Sequence, residues 1–66
     1  MYILIVLATM TNLGTYPTKA RCEAAVRSIY EQRLDPYHVM KPAMLKKVVD
    51  MQIKYSAPTE YRCQRV

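Results

Sequence analysis

The chain begins with an uninterrupted apolar run, Tyr2–Ala8 (YILIVLA). Ile, Val and Tyr are enriched in β-strands, so the run predicts a first strand over residues 2–10. Alternate side chains of a strand lie on opposite faces, and one face then carries Ile3, Ile5 and Leu7. Because the other face is apolar as well, this strand needs cover on both faces.

The apolar run is not expected to act as a secretion signal or as a membrane span. No basic residue precedes it, and a span needs about 20 apolar residues. We therefore expect no membrane partner. The chain has only 66 residues, and we expect a single small domain over residues 1–66.

Residues 18–34 predict the main helix. Thr18 is a suitable N-cap, and Asp35 ends the helix because a residue before proline avoids the helical region. One face of this helix is apolar and is expected to face the core: Cys22, Ala25, Val26, Ile29 and Leu34. The opposite face carries charges of alternating sign at steps of four residues: Lys19, Glu23, Arg27 and Glu31.

Residues 35–47 predict a loop with one or two helical turns, and Pro42 is suited to the first position of a short helix. In residues 48–55 apolar and polar side chains alternate, which favours a half-buried strand. The apolar members of this alternation are Val49, Met51, Ile53 and Tyr55. A helix that continues from Pro42 is the alternative, and it places four apolar side chains on one face: Met44, Val48, Met51 and Tyr55.

A last strand is predicted over residues 59–66, where apolar and polar side chains alternate again. Residues 56–58 are expected to join it to the preceding strand in a hairpin. Charge favours a register that sets Lys54 opposite Glu60. The expected fold is therefore α+β, in β-α-β-β order, with a three-stranded antiparallel sheet and one main helix on one face.

The two cysteines, Cys22 and Cys63, are too few for a disulfide framework and form no C-x-x-C pair. One falls on the inward face of the main helix and the other on the inward face of the last strand, so we expect both in the core. A single disulfide and two reduced thiols remain alternatives. No metal site is expected.

The sequence contains no recognisable set of catalytic residues. His38 is the only histidine, and no motif supplies a nucleophile for it. Gly14 is the only glycine, which excludes a glycine-rich phosphate loop. We therefore expect that the protein is not an enzyme and holds no cofactor.

The net charge of +5 favours an acidic partner. Because one helix covers only one face of the predicted sheet, the row of Ile3, Ile5 and Leu7 is predicted to bind a protein, either a target or a second copy in a homo-oligomer. Three basic side chains complete the predicted contact surface: Lys54, Arg62 and Arg65. In the alternative, residues 35–47 fold back over this row.

A nucleic-acid-binding module is the second hypothesis. The predicted C-terminal hairpin combines basic side chains with two tyrosines, Tyr55 and Tyr61. Basic and aromatic side chains on a sheet can hold a single strand by charge and by stacking. If the tyrosines point into the core instead, only a mildly basic face remains.

Three segments resemble small uncharacterised proteins of tailed bacteriophages: the strand at Met1–Val6, the start of the helix at Thr18–Ala25, and Tyr61–Cys63 near the end. Residues 35–58 lie outside the resemblance. It implies an accessory role, in which the protein blocks or redirects a host protein or decorates a virion. It also implies the host cytoplasm as the location, with the virion as the alternative, and it assigns no functional residue.

Overall fold

The apolar run at the start of the chain forms the central strand of a three-stranded antiparallel sheet. The computed structural model describes all residues, 1–66. Strand β1 (Tyr2–Val6) lies between β2 (Thr11–Tyr16) and β3 (Tyr61–Arg65) and pairs antiparallel with both. The predicted α+β class and the three-stranded antiparallel sheet are confirmed.

Three helices lie between β2 and β3 in the chain: α1 (Lys19–Leu34), α2 (Pro42–Tyr55) and α3 (Ala57–Glu60). The longest helix, α1, contacts all three strands, and α2 packs against α1. Two strands therefore precede α1 and one follows it, whereas the β-α-β-β arrangement placed one strand before the helix and two after it.

β1 ends at Val6 rather than at residue 10, because the chain reverses in a turn over residues 7–10. Asn12 and Gly14, two residue types that favour turns, lie inside β2. The Asn12 Oδ1 accepts a hydrogen bond of 2.8 Å from the Gly14 N–H. The φ of Gly14 is 155°, and the pairing of β1 with β2 shifts register beside it. These residues therefore form a bulge within an edge strand.

Helix α1 follows the sequence prediction closely. The Thr18 Oγ1 accepts a hydrogen bond of 3.2 Å from the Arg21 N–H and caps the helix. The helix ends at Leu34, one residue before Asp35. The predicted apolar face is buried or half-buried throughout: Cys22, Ala25, Val26, Ile29 and Leu34.

The strand predicted over residues 48–55 is wrong, and the alternative helix from Pro42 is correct. Pro42 occupies the start of α2, so the preceding loop covers only residues 35–41. The inner face of α2 consists of three apolar side chains at steps of four residues: Leu45, Val49 and Ile53. Val49 and Ile53 are four residues apart, a spacing that fits both a helix and the alternation of a strand. The alternating pattern therefore predicted a strand where the chain forms a helix.

The predicted pairing of Lys54 with Glu60 across a hairpin is also wrong. Lys54 lies on α2, and the short helix α3 stands where the hairpin turn was expected. Glu60 instead accepts a hydrogen bond of 3.0 Å at Oε2 from Nη1 of Arg33. The last strand covers Tyr61–Arg65, inside the predicted range.

The core lies between α1 and the sheet and is closed by a disulfide. Its buried apolar side chains are Leu4, Cys22, Val26, Tyr30, Val49, Ala57 and Tyr61. Cys22 is fully buried, and Cys63 is half-buried against the core, which confirms their predicted orientation. Their Cα atoms lie 6.0 Å apart and their sulfurs are bonded. Of the two alternatives, a disulfide and two reduced thiols, the structure therefore contains the disulfide.

The end of α1 is joined to β3 by an aromatic cluster around Arg33. The rings of Tyr30 and Tyr61 meet edge to face, with 5.8 Å between their centroids. Nη2 of Arg33 donates to the Tyr61 hydroxyl at 2.8 Å, and its hydrogen bond to Glu60 raises the pKa of Arg33. The Tyr30 hydroxyl is buried without a hydrogen-bond partner. Burial raises the pKa of Tyr30 to about 12, and the nearby Glu60 carboxylate adds to the shift.

The connection between α1 and α2 is organised by the buried carboxylate of Asp35, which is 4% exposed. It accepts hydrogen bonds from the backbone N–H groups of Val39, at 2.8 Å, and Met40, at 3.1 Å. A buried carboxylate needs such partners, because leaving its oxygens without hydrogen bonds would cost free energy. Asp35 thereby orders the loop between the two helices as far as Met40.

Reducing the disulfide should destabilise the protein strongly. The Cys22–Cys63 bond spans 41 residues, and closing a loop of that length in the unfolded chain is worth about 4 kcal/mol. The free energy of unfolding, measured by chemical denaturation with and without reductant, should fall by about that amount. The double variant Cys22→Ala with Cys63→Ala should match the reduced protein. Equal stability of the oxidised and reduced forms would contradict this role of the bond.

Two tyrosine variants should behave differently. Tyr61→Phe removes the hydrogen bond from Arg33 and should cost about 1 kcal/mol, whereas Tyr30→Phe removes an unpaired hydroxyl and should be neutral or stabilising at pH 7. Because burial makes Tyr30 harder to ionise in the folded than in the unfolded protein, the stability of the wild type should fall as the pH rises from 10 to about 12. Denaturation curves between pH 8 and 12 should therefore fall less steeply with pH for Tyr30→Phe than for the wild type.

Candidate protein-binding surface

The face of the sheet that points away from the helices carries the predicted apolar row. On β1, Leu4 is 1% exposed and lies in the core, so Ile3 and Ile5 point to the other side. Both are half-buried between the flanking strands. No element covers this face, because α1 packs on the opposite side and α2 packs on α1.

Polar side chains border the two isoleucines. On β3, Arg62 lies opposite Ile5 and Gln64 lies opposite Ile3. On β2, Thr15 lies opposite Ile3. These five residues, which we call the sheet surface, form a small apolar centre with a polar rim and one positive charge.

The structure does not bring the other predicted contact residues to the sheet surface. Leu7 lies beyond the end of β1, where its N–H donates to the Glu60 carbonyl at 2.9 Å. Lys54 lies on α2, away from the sheet. Arg65 pairs with Tyr2, so it points to the side of the sheet that the helices cover. Of the six predicted residues, Ile3, Ile5 and Arg62 share one surface.

Residues 35–47 do not fold back over the isoleucines. Val39 and Met44 are 81% and 60% exposed, and Leu45 packs against the core on the other side of the sheet. The alternative in which this segment covers the row is therefore wrong. The isoleucine face stays open in the isolated chain.

A second apolar surface lies on the outward face of α2. In the sequence analysis its residues appeared only as the apolar face of the alternative helix, and they were not predicted to bind a partner. Three of them are about two-thirds exposed, at 60% for Met44, 61% for Met51 and 66% for Tyr55. Val48 lies between them and is half-buried. These four residues form what we call the α2 stripe. Lys54 adds a cation at 5.4 Å from the Tyr55 ring centroid.

The charges available to a partner are positive. All five carboxylates have partners within the chain, namely Lys19, Arg27 and Arg33 for four of them and backbone N–H groups for Asp35. Only three of the ten Lys and Arg side chains take part in ion pairs. The remaining cations have no acidic partner: Arg21, Lys41, Lys46, Lys47, Lys54, Arg62 and Arg65.

A groove and the single histidine are the remaining features of the surface. A groove of about 760 Å³ runs between α1, the end of α2, α3 and β3, and apolar side chains such as Val26 and Ile53 line it. Its charged lining residues are Lys19, Glu23, Arg27 and Arg62, of which the first three form ion pairs within the chain. His38 is exposed, and no three His, Cys, Asp or Glu residues are grouped to hold a metal ion.

No protein-family model, curated protein or solved structure matches this chain. None of its helices is both long enough and apolar enough to cross a membrane.

Neighbouring positions on β1 should respond differently to truncation. Leu4→Ala should cost about 2–5 kcal/mol of unfolding free energy, because it leaves a cavity in the core. Ile5→Ala should cost about 1 kcal/mol, since its side chain is half-buried on the open face. Chemical denaturation of the two oxidised variants measures the difference. Equal losses would contradict the assignment of the two faces.

Proposed function

We propose that this chain is a small protein-binding module whose sheet surface docks onto an acidic protein. The observation that carries the proposal is the uncovered face of the central strand around Ile3 and Ile5. An apolar centre with a polar rim is the usual anatomy of a protein–protein contact.

The energetics favour a partner that covers more than the two isoleucines. Completing the burial of a half-buried isoleucine gains about 1 kcal/mol, so the pair by itself cannot hold a complex. A stable interface buries about 800 Å² on each partner. The contact must therefore extend over the rim, including Thr15, Gln64 and Arg62.

Charge supports a partner of another kind rather than a second copy. Arg62 has no acidic partner within the chain, and the sheet surface contains no carboxylate. A second copy would add another positively charged molecule, with a net charge of +5, and no acidic group for Arg62. An acidic rim on the partner would satisfy Arg62 and would accelerate association.

Nucleic acid is a weaker candidate for this chain. Tyr61 is 8% exposed, so its ring cannot stack on a base. Lys54 and Tyr55 lie on α2, while Arg62 lies on β3. The combination of cations and rings on one sheet that single strands require is therefore not assembled.

The resemblance to accessory proteins of tailed bacteriophages supports a role in binding a host protein or a virion component. The disulfide between Cys22 and Cys63 bears on the location. Structural disulfides persist in oxidising surroundings and are rare in the cytoplasm. We therefore favour attachment to a virion over action in the host cytoplasm.

The test is site-specific capture followed by affinity measurement. A photoreactive amino acid replaces Thr15 on the sheet surface, and a control protein carries it at Ser28, which is exposed on α1. Both are irradiated in a lysate of the native cells. A protein captured only from position 15 is then purified, and its affinity is measured for the wild type and for single variants.

Ile5→Lys and Arg62→Glu should each weaken binding about tenfold or more, because they disrupt the apolar centre and the charged rim. Lys46→Glu, an exposed charge reversal on α2, should leave the affinity unchanged. Circular dichroism checks that each variant is folded. Unchanged affinity of Ile5→Lys would refute the proposal. Capture of nothing but a second copy would assign the surface to self-assembly instead.

A further inference from the structure

We propose that the α2 stripe is a second docking surface, which takes an acidic amphipathic helix from a partner protein. The α2 stripe shares no residue with the sheet surface. Helix α2 is apolar on two faces, and the chain covers only one of them.

The inner face of α2 is already used. Leu45, Val49 and Ile53 point to the core, and Val49 is fully buried. A helix with apolar side chains on more than one face is usually buried on each of them. In the outward α2 stripe, by contrast, only Val48 is half-buried, and Met44, Met51 and Tyr55 remain about two-thirds exposed.

The spacing of the α2 stripe selects a helix as the partner. Its residues follow one another at steps of four, three and four: Met44, Val48, Met51 and Tyr55. This is the alternation of d and a positions over two heptads, and such a row packs into the holes of a facing helix. α2 has 14 residues and is about 21 Å long, so a partner helix of similar length would cover it.

The flanking charges select an acidic partner. In the same heptad, Lys47 and Lys54 occupy the two g positions beside the stripe. Neither lysine forms an ion pair within the chain. Charges at the edges of a helix pair determine partner choice, and two lysines call for Asp or Glu on the facing helix.

A second copy does not meet this requirement. Antiparallel pairing of two α2 helices brings the g positions of both copies together. Lys47 and Lys54 of one copy would then face Lys47 and Lys54 of the other. Parallel pairing brings them to the e positions, which are Leu45 and Gln52 and carry no charge. The net charge of +5 on each copy adds to the repulsion.

The probe is a synthetic helical peptide of about two and a half heptads, with Leu at a and d and Glu at e and g. Glutamates on both edges keep the peptide from pairing with itself. Its twin carries Lys in place of Glu. Binding of each labelled peptide to the oxidised, full-length protein is measured by fluorescence anisotropy at low and high salt.

The acidic peptide should bind the wild type and the basic twin should not. Met51→Ala should weaken binding at least fivefold, whereas Met10→Ala, at a methionine of similar exposure in the β1–β2 turn, should have no effect. The double variant Lys47→Glu with Lys54→Glu should lose the acidic peptide and bind the basic twin. Lys46→Glu should retain the preference of the wild type. Ile5→Lys should bind the acidic peptide normally, which separates this test from that of the sheet surface.

Several results would overturn the proposal. These are equal binding of both peptides, binding of neither peptide at millimolar concentration, and binding that Met51→Ala leaves unchanged. Sedimentation that shows a wild-type dimer, and a monomer for Met51→Ala, would assign the stripe to a second copy. Binding to anionic lipid vesicles in place of the peptide, lost in Met51→Ala, would assign it to a membrane surface.

Discussion

The bond between Cys22 and Cys63 holds the contact between α1 and β3 on which the other elements depend. Beside it, Leu4 of the central strand and Val26 of α1 are buried in the same core. A chain of 66 residues buries a smaller share of its surface than a larger domain does, so its stability is marginal. A covalent link that restricts the unfolded chain adds stability that so small a core lacks.

This architecture leaves apolar surface uncovered on two sides. Only α1 lies across the sheet, so the face with Ile3 and Ile5 remains open. The second long helix packs on α1 and turns Met51 and Tyr55 to the outside. One layer of helix cannot cover both faces of a sheet, and a helix at the margin of a small core cannot bury both of its own faces. The two surfaces are thus consequences of size and connectivity.

The charge without ion-pair partners in the chain is positive. Two ion pairs join helices to one another, with Arg27 and Asp50 between α1 and α2 and Arg33 and Glu60 between α1 and α3. The other two ion pairs lie within α1. Most of the lysines and arginines form no ion pair within the chain. Because the remaining charge is of one sign, we propose that both surfaces take acidic partners, which the positive charge would attract and bring into contact faster than further copies of the chain.

The sequence by itself determined β1 and α1, because each has an unambiguous local pattern: an apolar run led by Tyr2 and a capped amphipathic repeat from Thr18 to Leu34. It also placed Ile3 and Ile5 on one face. Only the tertiary structure decided the rest. Val49 and Ile53 fit a strand and a helix equally, and packing against α1 selected the helix, which separated Lys54 from Arg62. The disulfide likewise required the approach of Cys22 and Cys63, since a bond between residues 41 positions apart depends on distance in space rather than on local pattern.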